Sequence, residues 1–147
     1  MADVFDKKKR GAVMALIRGR DTGPELVVRK FLYSRGLRYR LHCPDLPGRP
    51  DIVFRRFRSV VFVHGCFWHQ HSNCRYAVLP KSNRRFWLSK LKGNHLRDLR
   101  NEKLLRQTGW RVFTIWECAL GESGLDRLYR RIIAASHAVA SRKDVIR

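Results

Sequence analysis

The stretch from Val63 to Cys74 constrains this chain more than any other part of its sequence. It holds three histidines, two cysteines and an adjacent Phe–Trp pair, directly after a run of apolar strand-forming residues. Thiolates and imidazoles at such spacings suit a tetrahedral metal site, and neighbouring large aromatics among polar residues suit stacking on bases. A strand that ends in a histidine, with a spare histidine nearby, suits proton transfer. The segment therefore indicates an enzyme that acts on nucleic acid.

The net charge supports a polyanionic partner. The 147 residues include 32 lysines and arginines against 12 acidic residues, a formal charge of +20. Such an excess repels itself unless a polyanion binds it, and nucleic acid is the obvious one. Charge alone also allows a basic ribosome-associated protein or a solvated surface. The chain is 44% hydrophobic, so it can bury the core of one domain and is not a disordered polymer.

Targeting signals and cysteine usage predict a reducing compartment. No apolar stretch approaches the roughly 20 residues of a membrane helix, and residues 1–10 lack the apolar run of a secretory signal. We expect a cytoplasmic protein without membrane contact, where thiols stay reduced. The cysteines are therefore predicted to be metal ligands rather than disulfides; they are Cys43, Cys66, Cys74 and Cys118.

The organisation predicted along the chain is one folded domain, residues 21–140, between two basic ends. Residues 1–20 form either an arm that follows phosphates or a solvated tail, and residues 141–147 form a short tail. The order of helices and strands predicts an α/β protein with one mixed central sheet flanked by helices. The predicted elements are a helix from Thr22 to Gly36, strands at 38–42, 51–54, 60–64 and 110–116, helical structure at 82–107 with either a kink or a break into two helices at Gly93-Asn94, and a helix at 124–140.

The spacing of cysteines and histidines predicts a structural zinc site. Cys66, His71 and Cys74 lie close in sequence, and Cys118 follows a distant strand. A zinc ion held by three thiolates and one imidazole would join the loop to the core. The spacing also permits His69 in place of His71, and the alternative is that the cysteines are small buried apolar residues.

A second metal is indicated by Pro50-Asp51, which enters one strand shortly before another strand that ends at His64. Metal-dependent nucleases of the PD-(D/E)xK type use such a hairpin to hold Mg²⁺ against a scissile phosphate. The second acidic residue and the lysine of that pattern are missing. Strand alternation places Phe62 and His64 on one face, so His64 lies near the lysine's place.

These motifs together resemble the very short patch repair (Vsr) endonucleases, which nick DNA at T:G mismatches. The resemblance covers about residues 1–121 and implies a restriction-endonuclease-like fold, related to the PD-(D/E)xK enzymes, with a structural zinc site. The matching residues are Asp21-Thr22 with Glu25, the segment Leu46–Asp51, the segment Val61–His69, Phe86-Trp87, Arg97-Asp98, and Gly109–Val112 through Trp116–Cys118.

The resemblance also implies a role for each site residue. Asp51 would bind the catalytic Mg²⁺ with the backbone carbonyl of Val63, which replaces a threonine of the family. His69 would be the general base, while His64 and Glu25 would support the metal–water cluster. The zinc ligands would be Cys66, His71, Cys74 and Cys118, and the DNA-intercalating residues would be Phe67, Trp68 and Trp87. Glu25 retains an interpretation as a helix cap, and Trp87 one as a core residue.

The implied function is a Mg²⁺-dependent, strand-specific endonuclease of mismatch repair. It would nick double-stranded DNA 5′ of the T in T:G pairs that arise from deaminated 5-methylcytosine. We expect a monomer, with a MutL-type repair protein as a candidate partner. The alternatives are a related nuclease of different specificity and a catalytically silent, zinc-stabilised DNA-binding module. The presence of Asp51, His64 and His69 argues against the silent module.

Overall fold

Four strands form one mixed sheet in the computed structural model, which describes residues 21–145 and their side chains as far as residue 137. The predicted basic arm, residues 1–20, lies outside the described residues. The strand order is β1-β2-β3-β4, with antiparallel pairing except between β3 and β4, which are parallel. The strands are β1 (Arg40–Leu41), β2 (Ile52–Phe54), β3 (Ser59–His64) and β4 (Arg111–Trp116). The predicted mixed α/β architecture is confirmed.

Three long helices accompany the sheet: α1 (Gly23–Ser34), α2 (Arg84–Gln107) and α3 (Glu122–Val145). Helix α1 begins where the sequence predicts, because the hydroxyl of Thr22 accepts the Glu25 backbone N–H at 3.4 Å. It ends at Ser34, and Gly36, two residues later, has a φ of 89°, the left-handed conformation that glycine adopts without cost. There the N–H of Leu37 donates to the carbonyl of Leu32, so the end of α1 is a Schellman motif.

Helix α2 is one helix of 24 residues that continues through Gly93 and Asn94, so the predicted alternative of two helices is wrong. A glycine costs about 1 kcal/mol in a helix interior. The apolar side chains of Trp87, Leu91 and Leu105 bury one face of α2 on both sides of that point, which outweighs the cost. Helix α3 also runs further than predicted and includes residues 141–145 of the expected tail.

Both faces of the sheet are buried, which explains why β2 and β3 are apolar at successive positions. Alternate residues such as Ile52, Val61 and Phe113 join α1 and α3 in one core. Val53, Val60 and Val112 join Leu105 of α2 in a second core on the other face. The same alternation directs Phe62 and His64 to the α2 side. Among the described residues, no helix has the length and apolar character to cross a membrane.

The parallel register of β3 and β4 places two distant segments together. It runs from Ser59 opposite Arg111 to His64 opposite Trp116, so both strands end at the same edge of the sheet. The residues that follow His64 and those that follow Trp116 therefore begin side by side.

Candidate active site and metal centre

A cleft of about 1340 Å³ opens at the carboxyl end of β3. Its walls come from the start of α1, the β1–β2 connection, the end of β3 with the following loop, and one face of α2. The four residues predicted to be catalytic line it together with two that were assigned no role; the six are Glu25, His42, Asp51, His64, His69 and Asp98.

Asp51 stands immediately before β2 and faces β3. Its Oδ2 accepts the backbone N–H of Val63 at 2.7 Å, while the Val63 side chain is buried in the core. Burial above all, with a contribution from the nearby Glu25 carboxylate, raises the pKa of Asp51 to about 6. A buried carboxylate beside a second acidic group gains from a bound cation. Its oxygen donors suit Mg²⁺, so Asp51 fits the predicted role.

His69 and Asp98 form the shortest contact in the cleft. The Nδ1 of His69 lies 2.6 Å from Oδ2 of Asp98. A carboxylate in this position places the proton on Nδ1 and leaves the lone pair on Nε2, which orients the ring for proton transfer. Asp98 had no assigned role in the sequence. It lies 29 positions from His69, and no local pattern connects residues so far apart.

His64 lies beneath this pair. Its ring stacks on that of His69, with centroids 3.8 Å apart and planes 3° apart. Burial above all, with a contribution from His69, lowers the pKa of His64 to about 4. The imidazole of His64 is therefore neutral at physiological pH. Its buried Nδ1 has no hydrogen-bond partner within residues 21–137, which leaves a polar atom for a group bound in the cleft.

Glu25 lies where the start of α1 meets the cleft. It is 3% exposed, and its Oε2 accepts the backbone N–H of Asp21 at the start of α1. The same oxygen receives Arg29 Nη2 at 2.9 Å and lies 3.0 Å from Nε2 of His42. The His42 Nε2 is in turn 3.8 Å from the Asp51 carboxylate. Glu25 thus caps α1 and also borders the Asp51 site.

Asp21, Glu25 and His42 are close enough to hold a cation, but a guanidinium is already there. Arg29 contacts Asp21 at 2.8 Å, Glu25 at 2.9 Å and His42 at 3.4 Å. This cluster is therefore an ion-pair network. The spacing of Glu25 and Arg29 along α1 could have predicted their contact, whereas no sequence signal identifies His42.

Cys66, His71, Cys74 and Cys118 place their ligand atoms within 4.8 Å of one another. The Nδ1 of His71 lies 3.7 Å from the sulfur of Cys66 and 3.4 Å from that of Cys118. Tetrahedral zinc with ordinary Zn–S and Zn–N bonds requires a separation of about 3.6 Å. The backbone N–H of Tyr76 lowers the pKa of the Cys74 thiol, which favours the thiolate. The four residues therefore form a candidate zinc site, in which His71 and not His69 accompanies the cysteines.

The zinc site and the cleft share a wall at the end of β4. Trp116 stacks on His71, with ring centroids 4.1 Å apart, and meets His64 edge-on at 5.2 Å. The next residue, Glu117, accepts the backbone N–H of Cys66 at 3.2 Å. Order at the zinc site thus supports the position of His64. The sequence predicted the strand at residues 110–116, but it contained no signal for the contacts of Trp116 and Glu117.

Phe67, Trp68 and Trp87 form an aromatic cluster at one end of the cleft. Their ring centroids lie 5.1 to 5.9 Å apart in edge-to-face arrangements. Trp87 is only 6% exposed, whereas Phe67 and Trp68 are partly exposed. Asn94 of α2 donates to the backbone carbonyl of Trp68 at 3.2 Å and holds its loop. Trp87 is therefore the buried member of the cluster, and Phe67 and Trp68 are its more exposed members.

The known proteins that this chain resembles are DNA mismatch endonucleases and nicking enzymes. A family model described as DNA mismatch endonuclease Vsr matches residues 2–75. The type II nicking enzyme V.NmeAIP of Neisseria meningitidis is 44% identical, over 90% of this chain and 97% of that protein. The type II nicking enzyme V.XorIIP of Xanthomonas oryzae is 46% identical, over 92% and 100%. The DNA mismatch endonuclease Vsr of Escherichia coli is 45% identical, over 82% and 76%.

Proposed function

The chain belongs to the Vsr family of DNA mismatch and nicking endonucleases, and from that premise we propose that it nicks DNA 5′ of the T in T:G mismatches left by deaminated 5-methylcytosine. The observation that carries the proposal is that one cleft is lined by Asp51, the His69–Asp98 pair and Trp68 of the aromatic cluster. A hydrolytic site thereby lies beside aromatic side chains that can insert at a weakly stacked base step.

In this proposal, Asp51 and the backbone carbonyl of Val63 would hold Mg²⁺. The N–H and C=O of a strand residue point to the same side, and the N–H of Val63 already points to Asp51. Only the backbone of Val63 is used, so its side chain is free to fill the core. When bound, Mg²⁺ supplies positive charge against the scissile phosphate and makes a bound water easier to deprotonate.

Proton transfer is assigned to His69. Its Nε2 accepts a proton from the attacking water, and the Asp98 carboxylate stabilises the imidazolium that forms. His64 stays neutral beneath that ring, so it supports His69 without opposing its positive charge. Glu25 lies on the Asp51 side of the cleft, where its carboxylate can orient water around the metal.

Removing His69 or Asp98 tests these assignments. His69→Ala is expected to lower the single-turnover nicking rate by about 10²-fold or more, because the base is lost. Asp98→Asn should lower the rate by about 10- to 100-fold, because it disturbs the tautomer and orientation of His69. His71→Ala is the matched control and should lose zinc, whereas His69→Ala should retain it. The opposite pattern of zinc loss would exchange the roles of the two histidines.

Selectivity for a mismatch is assigned to Phe67 and Trp68, with Trp87 as their buried support. Separating a stacked base step costs a few kcal/mol, and the cost is smaller at a mismatch. Aromatic side chains that insert at the step convert this difference into selectivity. The +20 charge supplies affinity for DNA of any sequence.

A panel of labelled duplexes tests the function directly. Each duplex carries one mismatch in one of several sequence contexts, and nicking is followed with Mg²⁺ present. We expect a nick 5′ of the T in T:G duplexes and little cleavage of matched DNA. Equal nicking of a matched duplex would contradict the proposal. It would favour a sequence-specific nicking enzyme, a candidate supported by the long matches to V.NmeAIP and V.XorIIP.

Trp68→Ala tests the mismatch-sensing role on the same duplexes. It is expected to slow single-turnover nicking of T:G DNA far more than it weakens competition binding to matched DNA at fixed salt. Phe86→Ala is the control, because Phe86 is 56% exposed and its ring packs edge-on against the buried Trp87. Equal losses in nicking and in binding by Trp68→Ala would mean that Trp68 provides only packing or general affinity.

A further inference from the structure

Arg49 is a cation in the cleft that no other described residue engages through its side chain. It is exposed and lines the cleft, and its side chain has no hydrogen bond or ion pair with another residue in the described part of the chain. Arg29, in contrast, is held by Asp21 and Glu25. An unpaired guanidinium beside a site for phosphodiester cleavage is available to bind phosphate.

The turn that presents Arg49 is rigid. At Gly48, a Cβ atom would lie 3.0 Å from Nδ2 of Asn101, so this backbone packs directly on α2. The N–H of Arg49 donates to the carbonyl of Leu46 at 3.1 Å, and Pro50 is fully buried. Arg49 itself has a φ of 46°, which a non-glycine residue adopts at some energetic cost. Such strain, maintained by a rigid turn, is typical of functional positions.

The packing of the neighbouring Gly48 against α2 shows where Arg49 lies along the cleft. Gly48 touches Asn101, which lies three residues after Asp98, a rise of about 4.5 Å on the helix. Lys90, the one lysine among the described residues that line the cleft, lies eight residues before Asp98, or about 12 Å towards the aromatic cluster. Arg49 therefore lies at the Asp98–His69 end of the cleft and only two residues before Asp51.

The reaction requires positive charge at this end. A new P–O bond to the water oxygen forms while one ester P–O bond breaks. The water proton passes to His69, and the departing oxygen takes a proton from solvent. Negative charge stays on the two non-bridging oxygens throughout, close to the carboxylates of Asp51 and Glu25. The lysine that related nucleases place near such a site is missing from this chain.

We propose that Arg49 is a catalytic residue whose guanidinium binds the non-bridging oxygens of the scissile phosphate and stabilises their charge in the transition state. A guanidinium matches two phosphate oxygens at once. The proposal rests on the placement of the scissile phosphate at Asp51 and His69 in the proposed function. It does not depend on which duplex is recognised.

The test compares Arg49→Asn with Arg56→Ala. Asparagine tolerates positive φ, so the first variant removes the charge and keeps the turn. Arg56 is exposed and lies on the β2–β3 connection, outside the residues that line the cleft, so its removal lowers the net charge equally. At saturating enzyme, Arg49→Asn should lower the single-turnover nicking rate about 10²-fold or more, and Arg56→Ala should lower it less than about 2-fold. Arg49→Lys should recover part of the rate, since charge is restored without the planar fork.

A thio-substituted substrate distinguishes loss of a direct contact between Arg49 and the phosphate from a general effect of the substitution on folding. Sulfur in place of a non-bridging oxygen at the nick should slow the wild type, and it should slow Arg49→Asn less, because that contact is already lost. Equal sulfur effects in both proteins, or equal rates for Arg49→Asn and Arg56→Ala, would overturn the proposal. If the wild type nicks a duplex other than T:G, the proposed specificity fails, and the same comparison on that duplex still tests Arg49.

Discussion

Asp51→Asn is expected to abolish nicking and, in magnesium-free buffer at neutral pH, to stabilise the protein. The loss of activity follows from removal of the carboxylate that we propose as a ligand of the catalytic metal. Charge stabilisation by a metal is worth several kcal/mol, so the rate should fall by about 10³-fold or more. DNA binding should persist or strengthen, because the variant has one negative charge fewer in a DNA-binding cleft.

The gain in stability follows from the sign of the pKa shift. Burial raises the pKa of Asp51 to about 6 in the folded protein, against about 3.9 in an unfolded chain. The folded protein therefore binds the proton more tightly, and the wild type loses stability as pH rises from about 4 to about 6. The shift corresponds to roughly 3 kcal/mol, fully expressed above pH 6. Asparagine keeps an oxygen to accept the Val63 N–H and has no charge to bury.

Thermal unfolding between pH 4 and pH 8 measures this effect. The curves for the wild type and Asp51→Asn should separate as pH rises through that window and then run parallel. Asp45→Asn is a control of opposite sign. The hydrogen bond from Arg55 lowers the pKa of the exposed Asp45, so that pair stabilises above the unfolded pKa and its contribution is lost on acidification. A less stable Asp51→Asn at pH 7, or one that still nicks, would contradict the assignment.

Cys118→Ser is expected to lower the free energy of unfolding by several kcal/mol. Cys118 connects the end of β4 to the loop after β3, and metal-binding free energy at such a site is folding free energy. A domain of this size has only about 5–15 kcal/mol in total. The loss should therefore appear as low solubility and a lower unfolding temperature. The specificity of the remaining active protein should not change, since Cys118 is not among the residues that line the cleft.

Metal analysis completes this test. About one tightly held zinc per chain should survive mild chelation in the wild type, after which activity should need only added Mg²⁺. Cys43→Ala is the matched control, because Cys43 is a buried free thiol in the second core and lies outside the cluster. It should retain zinc at the wild-type level. A fully folded, metal-free wild type would refute the zinc assignment.

Local chemistry explains what the sequence predicted correctly. The hydroxyl of Thr22 and the backbone freedom of Gly36 define the two ends of α1 through contacts within a few residues. Strand alternation placed Phe62 and His64 on one face, and the spacing of Cys66, His71 and Cys74 indicated a metal loop. In each case the interacting groups are neighbours in the chain, so a short segment contains the whole signal.

Tertiary structure decided the rest, because the partners are far apart in sequence. The choice between His69 and His71 depends on α2, which brings Asp98 to one ring, and on β4, which brings Cys118 and Trp116 to the other. Tertiary packing buries Trp87 beneath Phe67 and Trp68. Apolar packing against the sheet also stabilises α2 as one helix through Gly93. The parallel register of β3 and β4 and the packing of α2 across their ends create these contacts, and neither has a local signal in the sequence.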